Sequence, residues 1–402
     1  MDSLRFHPAW IILIICFLDI FINFSIRLGY GLSLPEMIRE IGFSRSAAAT
    51  IYNSYLLVYV AATPFAGYIT DRFGARWVIT SCAALLGAGT LLMGTVHDFG
   101  AACLFYALAG LGASGIWTPA LTLIQRWFSP RRRGLALGIL SAGYGLGFAM
   151  MGAVFPWIVE NANWRYSWYA LGSAALGMII LNGLILRSDP AETGRRPWGE
   201  ESDPEQAFSA KTFSLSGIFR SPLFWIIGVS YFLITFSLYG ITTFMVDYAR
   251  FELGWSLDKA SRLATVHGIS QVLGVLTILP LSDRLGRKKT VLGSNFVVAA
   301  AIAGILFYGR GEAFLFFFIG VLAASYGVTF PLYGACAGDY FHRERIGTVI
   351  GAWTLLYGGG AMAAHWVGGF IRDTAGSYGG AFAAYAVSAF ASFVLFVKVS
   401  KK

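Results

Sequence analysis

The chain has too little charge to build a water-facing surface. Only 13% of its 402 residues are Asp, Glu, Lys or Arg, against roughly 25% in a soluble globular domain. With 56% hydrophobic residues and a mean hydropathy of +0.64, a set of ordinary soluble domains is excluded, although the length alone would allow one. There is no His/Cys/Asp cluster at metal-ligand spacing and no Walker-type loop. Neither a cofactor nor ATP-driven chemistry on this chain is therefore expected. Gly143-Tyr-Gly145-Leu-Gly147 only superficially matches a dinucleotide loop, because it lies inside an apolar run with no strand before it. Helix packing is the reading for those glycines. The four cysteines, Cys16, Cys82, Cys103 and Cys336, sit in apolar segments without paired spacing, as small packing residues do. No enzyme signature emerges.

What is present is a series of long apolar runs. A membrane-spanning helix needs about 20 largely apolar residues. The runs fall at 9–34, 47–70, 76–95, 98–126, 133–158 and 165–187, then at 222–248, 260–282, 289–309, 312–340, 345–371 and 378–399. Backbone polar groups in hydrocarbon must be satisfied within the spanning structure, so helices or closed barrels are the choices. The alternating segments of about ten residues that a barrel needs are missing. An all-α membrane protein with twelve transmembrane helices follows. The first run is longer than a signal-peptide core and has no small-residue cleavage site after it, so it is expected to be the first span. Gly29, Gly31 and Pro35 are expected to loosen its outer end.

One polar stretch, Arg187 to Arg220, carries Pro190, Pro197 and Pro204 among mixed charges. It separates residues 1–187 from 221–402, with 188–220 as a hydrophilic linker between two six-helix bundles. Placing both termini and the linker on one side puts 21 Lys and Arg there, against 8 on the other, with Arg27 inside the first span. The positive side is cytoplasmic. This predicts a multi-pass protein of a bacterial inner (plasma) membrane, and the net charge of +9 needs no nucleic-acid partner.

The two halves repeat a loop. After the second span comes Gly67-Tyr-Ile-Thr-Asp71-Arg72-Phe-Gly74-Ala-Arg76, and after the eighth Leu281-Ser-Asp283-Arg284-Leu-Gly286-Arg287-Lys288-Lys289. These loops resemble the signature of the major facilitator superfamily, G-x-x-x-D-R-x-G-x-R. The first copy matches at Gly67, Asp71, Arg72, Gly74 and Arg76. The second keeps Asp283, Arg284 and Gly286, followed by Arg287, and has Leu279 in place of the opening glycine. The resemblance spans the chain and implies the major facilitator fold, alternating access, and a gating loop whose Asp caps and pairs with a neighbouring helix end. Charges that merely fix topology are the competing reading.

A narrower resemblance is to the monocarboxylate porter and oxalate:formate antiporter group. It rests on Gly42-Phe-Ser44-Arg45-Ser-Ala-Ala-Ala, on Trp127-Phe128-Ser-Pro130-Arg131-Arg132-Arg133-Gly134-Leu-Ala-Leu-Gly138, and on the glycine-rich Ala142–Gly147. It implies a small organic anion as substrate, a monocarboxylate first, moved by proton symport or exchange. The sequence departs from that group in two places. The stretch Thr265 to Val275 of the eighth span lacks the basic residue and aspartate the group looks to. No lysine stands near Leu356-Tyr357-Gly358 in the eleventh.

An ionisable side chain inside a span is costly and marks function by default. Asp19, Asn23 and Arg27 recur every four residues, and so share one stripe of the first helix, which Tyr30 extends by a turn. Arg27 suits a carboxylate through its fork of donors; structural neutralisation with Asp19, bridged through Asn23 or water, and outward snorkelling are the alternatives. His267 with Gln271 in the eighth span, and His365 in the eleventh, could titrate near neutral pH or simply pack. Trp117, Tyr144, Tyr326, Tyr333, Trp353 and Tyr357 are candidate cavity walls. The expected substrate contacts are thus Arg27, Asn23, Tyr30, Trp117, Tyr144, Gln271, Tyr326 and Tyr357, with Asp19, His267 and His365 for proton coupling. A monomer in lipid is expected. A multidrug or neutral-solute exporter of the same fold, or a membrane sensor that transports nothing, stays open.

Overall fold

The computed structural model describes residues 7–129, 132–199, 219–341 and 346–399. Among these residues the chain is almost wholly helical, with no strand and one isolated bridge between Phe128 and Trp198. Twelve long helices follow one another: α1 Pro8–Ile41, α2 Arg45–Phe73, α3 Ala75–Met93, α4 Phe99–Trp127, α5 Arg133–Asn161, α6 Arg165–Ile185, α7 Pro222–Phe251, α8 Leu257–Leu285, α9 Arg287–Tyr308, α10 Glu312–Tyr340, α11 Ile346–Ala375 and α12 Gly379–Val397. This is the all-α, twelve-span architecture that the apolar runs predict. α4 is made of two pieces, Phe99–Ser114 and Trp117–Trp127. They join at Gly115, where an added Cβ would collide with Cys82.

α1 departs furthest from its apolar run. It continues through Pro35 to Ile41, although an internal proline removes one backbone hydrogen bond and tends to end a helix. Leu32, Leu34 and Met37 are fully buried there, so packing outweighs the local cost. Gly29 and Gly31 do not loosen this end either. They let other helices come close: a Cβ on Gly31 would lie 2.9 Å from the Thr243 carbonyl oxygen of α7, and one on Gly29 3.3 Å from Met151 of α5.

Ten of the described helices are long and apolar enough to cross a membrane, and α2 and α11 are not among them. Their polar side chains meet each other. Asn53 Nδ2 donates to the Met362 carbonyl at 2.9 Å, and Trp366 Nε1 to Thr50 Oγ1 at 3.2 Å. Partnered polar groups of this kind hold helices together where lipid offers no hydrophobic drive.

By packing, the chain forms two compact units. The first takes the chain up to Arg27, Ser54–Gly147, and the stretch from Ile158 into the linker. The second takes Leu28–Asn53, Phe148–Trp157 and helices α7 to α12. Packing therefore joins the second half of α1, the start of α2 and part of α5 to the later helices. This grouping differs from the halves that the linker marks in sequence. In the first unit α3 and α4 approach backbone to backbone, Gly89 against Ala109 and Gly112 against Leu86, as small residues allow. The start of the linker belongs to this unit as a structured strap. Trp198 lies edge-on to Trp10 and Phe128, with ring centroids 5.0 and 5.8 Å away, and its backbone N–H donates to the Trp127 carbonyl at 2.8 Å.

Candidate functional site

In the first unit the α1 stripe forms as its spacing predicts, and each member meets a different partner. Asp19, 3% exposed, accepts through Oδ1 from Asn182 Nδ2 of α6 at 3.0 Å. Its Oδ2 has no hydrogen-bond partner among the described residues, nor does Oδ1 of Asn182. Asn23 accepts from the Tyr55 hydroxyl of α2 at 3.3 Å. The Arg27 side chain is buried at 2% exposure, with its guanidinium carbon 4.9 Å from the Tyr59 ring centroid and 5.6 Å from that of Phe24. Phe24 in turn touches Tyr144 of α5, centroids 3.9 Å apart, and Tyr144 touches Trp117 of α4 at 4.8 Å. Four helices thus bring Arg27, Tyr59, Phe24, Tyr144 and Trp117 into one cluster of a cation and aromatic faces. Sequence reasoning named Arg27, Trp117 and Tyr144 but missed Tyr55, Tyr59 and Asn182. Those three are polar or aromatic residues in apolar runs, and only tertiary contact distinguishes them.

The other expected contacts gather in the second unit. His267 pairs through Nε2 with Thr242 Oγ1 at 3.0 Å, and its Nδ1 has no partner among the described residues. Phe148 and Tyr326 flank its ring, each centroid 5.3 Å away. Gln271, 4% exposed, leaves Oε1 without a partner among the described residues. Tyr326 lies 5.7 Å from Tyr239, whose hydroxyl meets that of Tyr357 at 2.5 Å. His365 is held at both ring nitrogens, Nδ1 to Asn53 Oδ1 at 2.8 Å and Nε2 to Thr243 Oγ1 at 2.9 Å, and stacks on Tyr52 at 4.3 Å. Tyr30 is fully buried and donates to the Ala48 carbonyl at 2.7 Å. Trp353 and Tyr333 are buried. The Trp353 indole donates to the Phe224 carbonyl, and Tyr333 bonds Ser230 and Asn295.

The repeated loops adopt matching backbones. Gly74 has φ 84° and ψ 148°, Gly286 φ 89° and ψ 143°, and each precedes the first residue of the next helix. Only glycine takes this conformation readily. In the first loop the Arg76 N–H donates to Ser188 Oγ at 3.2 Å, while its guanidinium reaches the Gly183 carbonyl at the end of α6. Arg72 is exposed, its guanidinium carbon 5.5 Å from the Phe73 ring. In the second loop Arg284 is exposed and Arg287 reaches Ser282 Oγ. Among the described residues no group approaches the Gly67 Cβ position within 4 Å. The side chains of Asp71 and Asp283 lie outside the described residues.

A network of ion pairs that sequence reasoning missed joins the α1–α2, α7–α8 and α11–α12 turns of the second unit. Asp247 is fully buried near the end of α7. It accepts from Arg45 Nε at 2.8 Å and Nη2 at 3.4 Å, and from the Tyr378 hydroxyl at 2.7 Å. Burial first, then the charge of Asp247, pushes the Tyr378 phenol well above its usual range, so it stays a donor. Asp373 at the end of α11 accepts the Arg45 N–H at 3.0 Å, the Ser46 N–H at 2.7 Å and the Ser46 hydroxyl at 2.6 Å. Glu36 of α1, 2% exposed, pairs with Arg250 at 3.0 Å. The available signal is Asp247, an acid inside an apolar run.

Three comparisons set this geometry among known proteins. The sequence model of the Major Facilitator Superfamily matches residues 9–261 and 227–402. The oxalate:formate antiporter of Oxalobacter formigenes is 26% identical over 372 residues, covering 88% of this chain and 84% of that protein. A probable sulfoacetate transporter of Cupriavidus necator is 24% identical over 396 residues, covering 93% and 90%. Among solved structures, the nucleoside transporter NupG superposes with a TM-score of 0.74 at 15% identity, over 96% of this chain and 99% of that one. At that identity the likeness is one of fold.

Proposed function

The chain belongs to the Major Facilitator Superfamily, and on that premise we propose that it is a secondary transporter of small organic anions, monocarboxylates first, working by alternating access. The observation that carries this reading is Arg27, a buried cation lying against Tyr59 within a cluster of Phe24, Tyr144 and Trp117. A guanidinium can take a carboxylate through two parallel bonds, which an ammonium cannot. The aromatic faces give a small planar anion apolar walls. The names of the relatives above point the same way, since oxalate, formate and sulfoacetate are all small carboxylates. No Lys or Arg stands in Thr265–Val275 of the eighth span or near Leu356-Tyr357-Gly358 of the eleventh, which favours Arg27 as the anchor.

Coupling is assigned to Asp19. Its Oδ2, buried and without a hydrogen-bond partner among the described residues, is placed to take up and release a proton as the substrate moves. Exchange of one carboxylate for another is the alternative mode. The repeated loops at Gly67–Arg76 and Asp283–Arg287 act as gates, residues 1–187 and 221–402 as the functional halves, and 188–220 as their link. The protein works as a monomer in a bacterial inner membrane, with both termini cytoplasmic.

Binding of formate and oxalate to purified protein tests the anchor. Losing a buried, charge-assisted contact costs about 2–5 kcal/mol, roughly a thirty-fold to several-thousand-fold weakening. Arg27→Ala should show that loss, and Arg27→Lys a smaller one. A monodisperse Arg27→Ala protein that binds carboxylates as the unaltered chain does would remove the anchor from the account.

A further inference from the structure

We propose that Arg45, Asp247, Asp373 and Tyr378 form a lock holding the start of α2 against α7, α11 and α12, and that its release opens the buried polar layer of Asn53, His365 and Thr243 beneath it. The proposal rests on the transport reading only for its place in the cycle.

The first N–H groups of any helix have no partner within the helix and are capped by a nearby side chain or water. Ser44 does part of this for α2, its hydroxyl accepting from the Ala47 N–H at 3.0 Å. The N–H groups of Arg45 and Ser46 are instead capped by Asp373, a residue 328 positions away in sequence from the first and 327 from the second. A carboxylate there is favoured by the helix dipole. The cap is borrowed from α11, so the start of α2 is complete only while the two helices touch. The approach is tight, because a Cβ on Gly369 would lie 2.8 Å from the Arg45 carbonyl oxygen.

Arg45 closes a second contact from the same point. Its fork reaches Asp247, which is fully buried and also held by Tyr378. Removing one partner of such a pair leaves a buried charge uncompensated, so the closed state depends on the pair. The Arg45 side chain is 16% exposed, so water can reach its end of the contact when the helices part.

Below the lock the interface is polar. Asn53, His365 and Thr243 form a buried hydrogen-bonded chain, with Tyr52 stacked on the imidazole. These groups are satisfied when closed, and water can satisfy them when open. α2 and α11, which fall outside the ten most apolar spans among the described residues, meet here. Their lower hydropathy fits surfaces that face water for part of a cycle.

The test needs no substrate, so failure of the carboxylate reading leaves it intact. Ala49 is 1% exposed. An Ala49→Cys reporter should react slowly with a membrane-impermeant maleimide, its rate read at the level of the labelled peptide. Asp247→Asn or Asp373→Asn should raise that rate about tenfold or more by shifting the population toward the open form. The charge swap Arg45→Asp with Asp247→Arg should bring it back toward the starting value. Tyr378→Phe, which removes one hydrogen bond and no charge, should give a smaller rise of about threefold. Unchanged labelling in monodisperse Asp247→Asn, Asp373→Asn and Tyr378→Phe proteins would overturn the lock. So would a rise that the swap fails to reverse.

Discussion

Buried charge is handled in two different ways in this molecule. At the turns of the second unit, each carboxylate meets a cation or capped N–H groups: Asp247 with Arg45 and Tyr378, Glu36 with Arg250, Asp373 with the start of α2. On the α1 stripe of the first unit, Asp19 has a single amide donor and an oxygen left over among the described residues, and Arg27 lies against aromatic faces. A carboxylate taken out of water is tolerated only with compensation. Where the protein supplies it, the charge serves the fold and its opening. Where a carboxylate oxygen is left over among the described residues, as at Asp19, a proton can supply what the described contacts do not.

Breaking the stripe and the lock separately should give unlike results. The larger effect is expected at Asp19. Asp19→Asn keeps the shape and the contact with Asn182 but cannot bind and release a proton, so the pH-dependent part of net uptake should disappear while carboxylate exchange persists. Asp247→Asn should instead slow uptake and exchange together and leave their pH dependence in place. Liposome uptake across a pH series reads both, and the assignment fails if Asp19→Asn keeps the unaltered profile.

A finer contrast uses Tyr59. A cation held over an aromatic ring gains about 0.5–2 kcal/mol, so Tyr59→Leu should weaken carboxylate binding roughly two- to thirty-fold. It should leave labelling of the Ala49→Cys reporter unchanged, because Tyr59 takes no part in the lock. Equal binding by Tyr59→Leu and the unaltered chain would show that the ring does not prepare Arg27 for its ligand.

Much of the fold is legible in the sequence because lipid makes hydropathy decisive, and the repeated loops let Gly74 and Gly286 be read as equivalent before their matching backbone angles are seen. The α1 stripe is legible too, since a spacing of four residues fixes a helical face. What spacing cannot give is the neighbour. Tyr30 extends the stripe in sequence, yet its hydroxyl is taken by the Ala48 carbonyl. Asn182, Tyr55 and Tyr59 gain meaning only from the helices that carry them together. The lock is hidden for a related reason. Charges in turns are common, and Asp373 caps a helix hundreds of residues earlier in the chain. Pro35 marks the expected end of α1, but burial of the following turn carries the helix to Ile41.

The most direct test of the central claim is uptake by liposomes containing the purified, unaltered protein. Labelled formate and oxalate should enter at rates well above protein-free liposomes, and faster when a carboxylate is loaded inside. Formamide and oxamide, of like shape but uncharged, should neither enter by this route nor compete. Protein-dependent uptake of neutral or cationic solutes, with none of any carboxylate offered, would contradict the account.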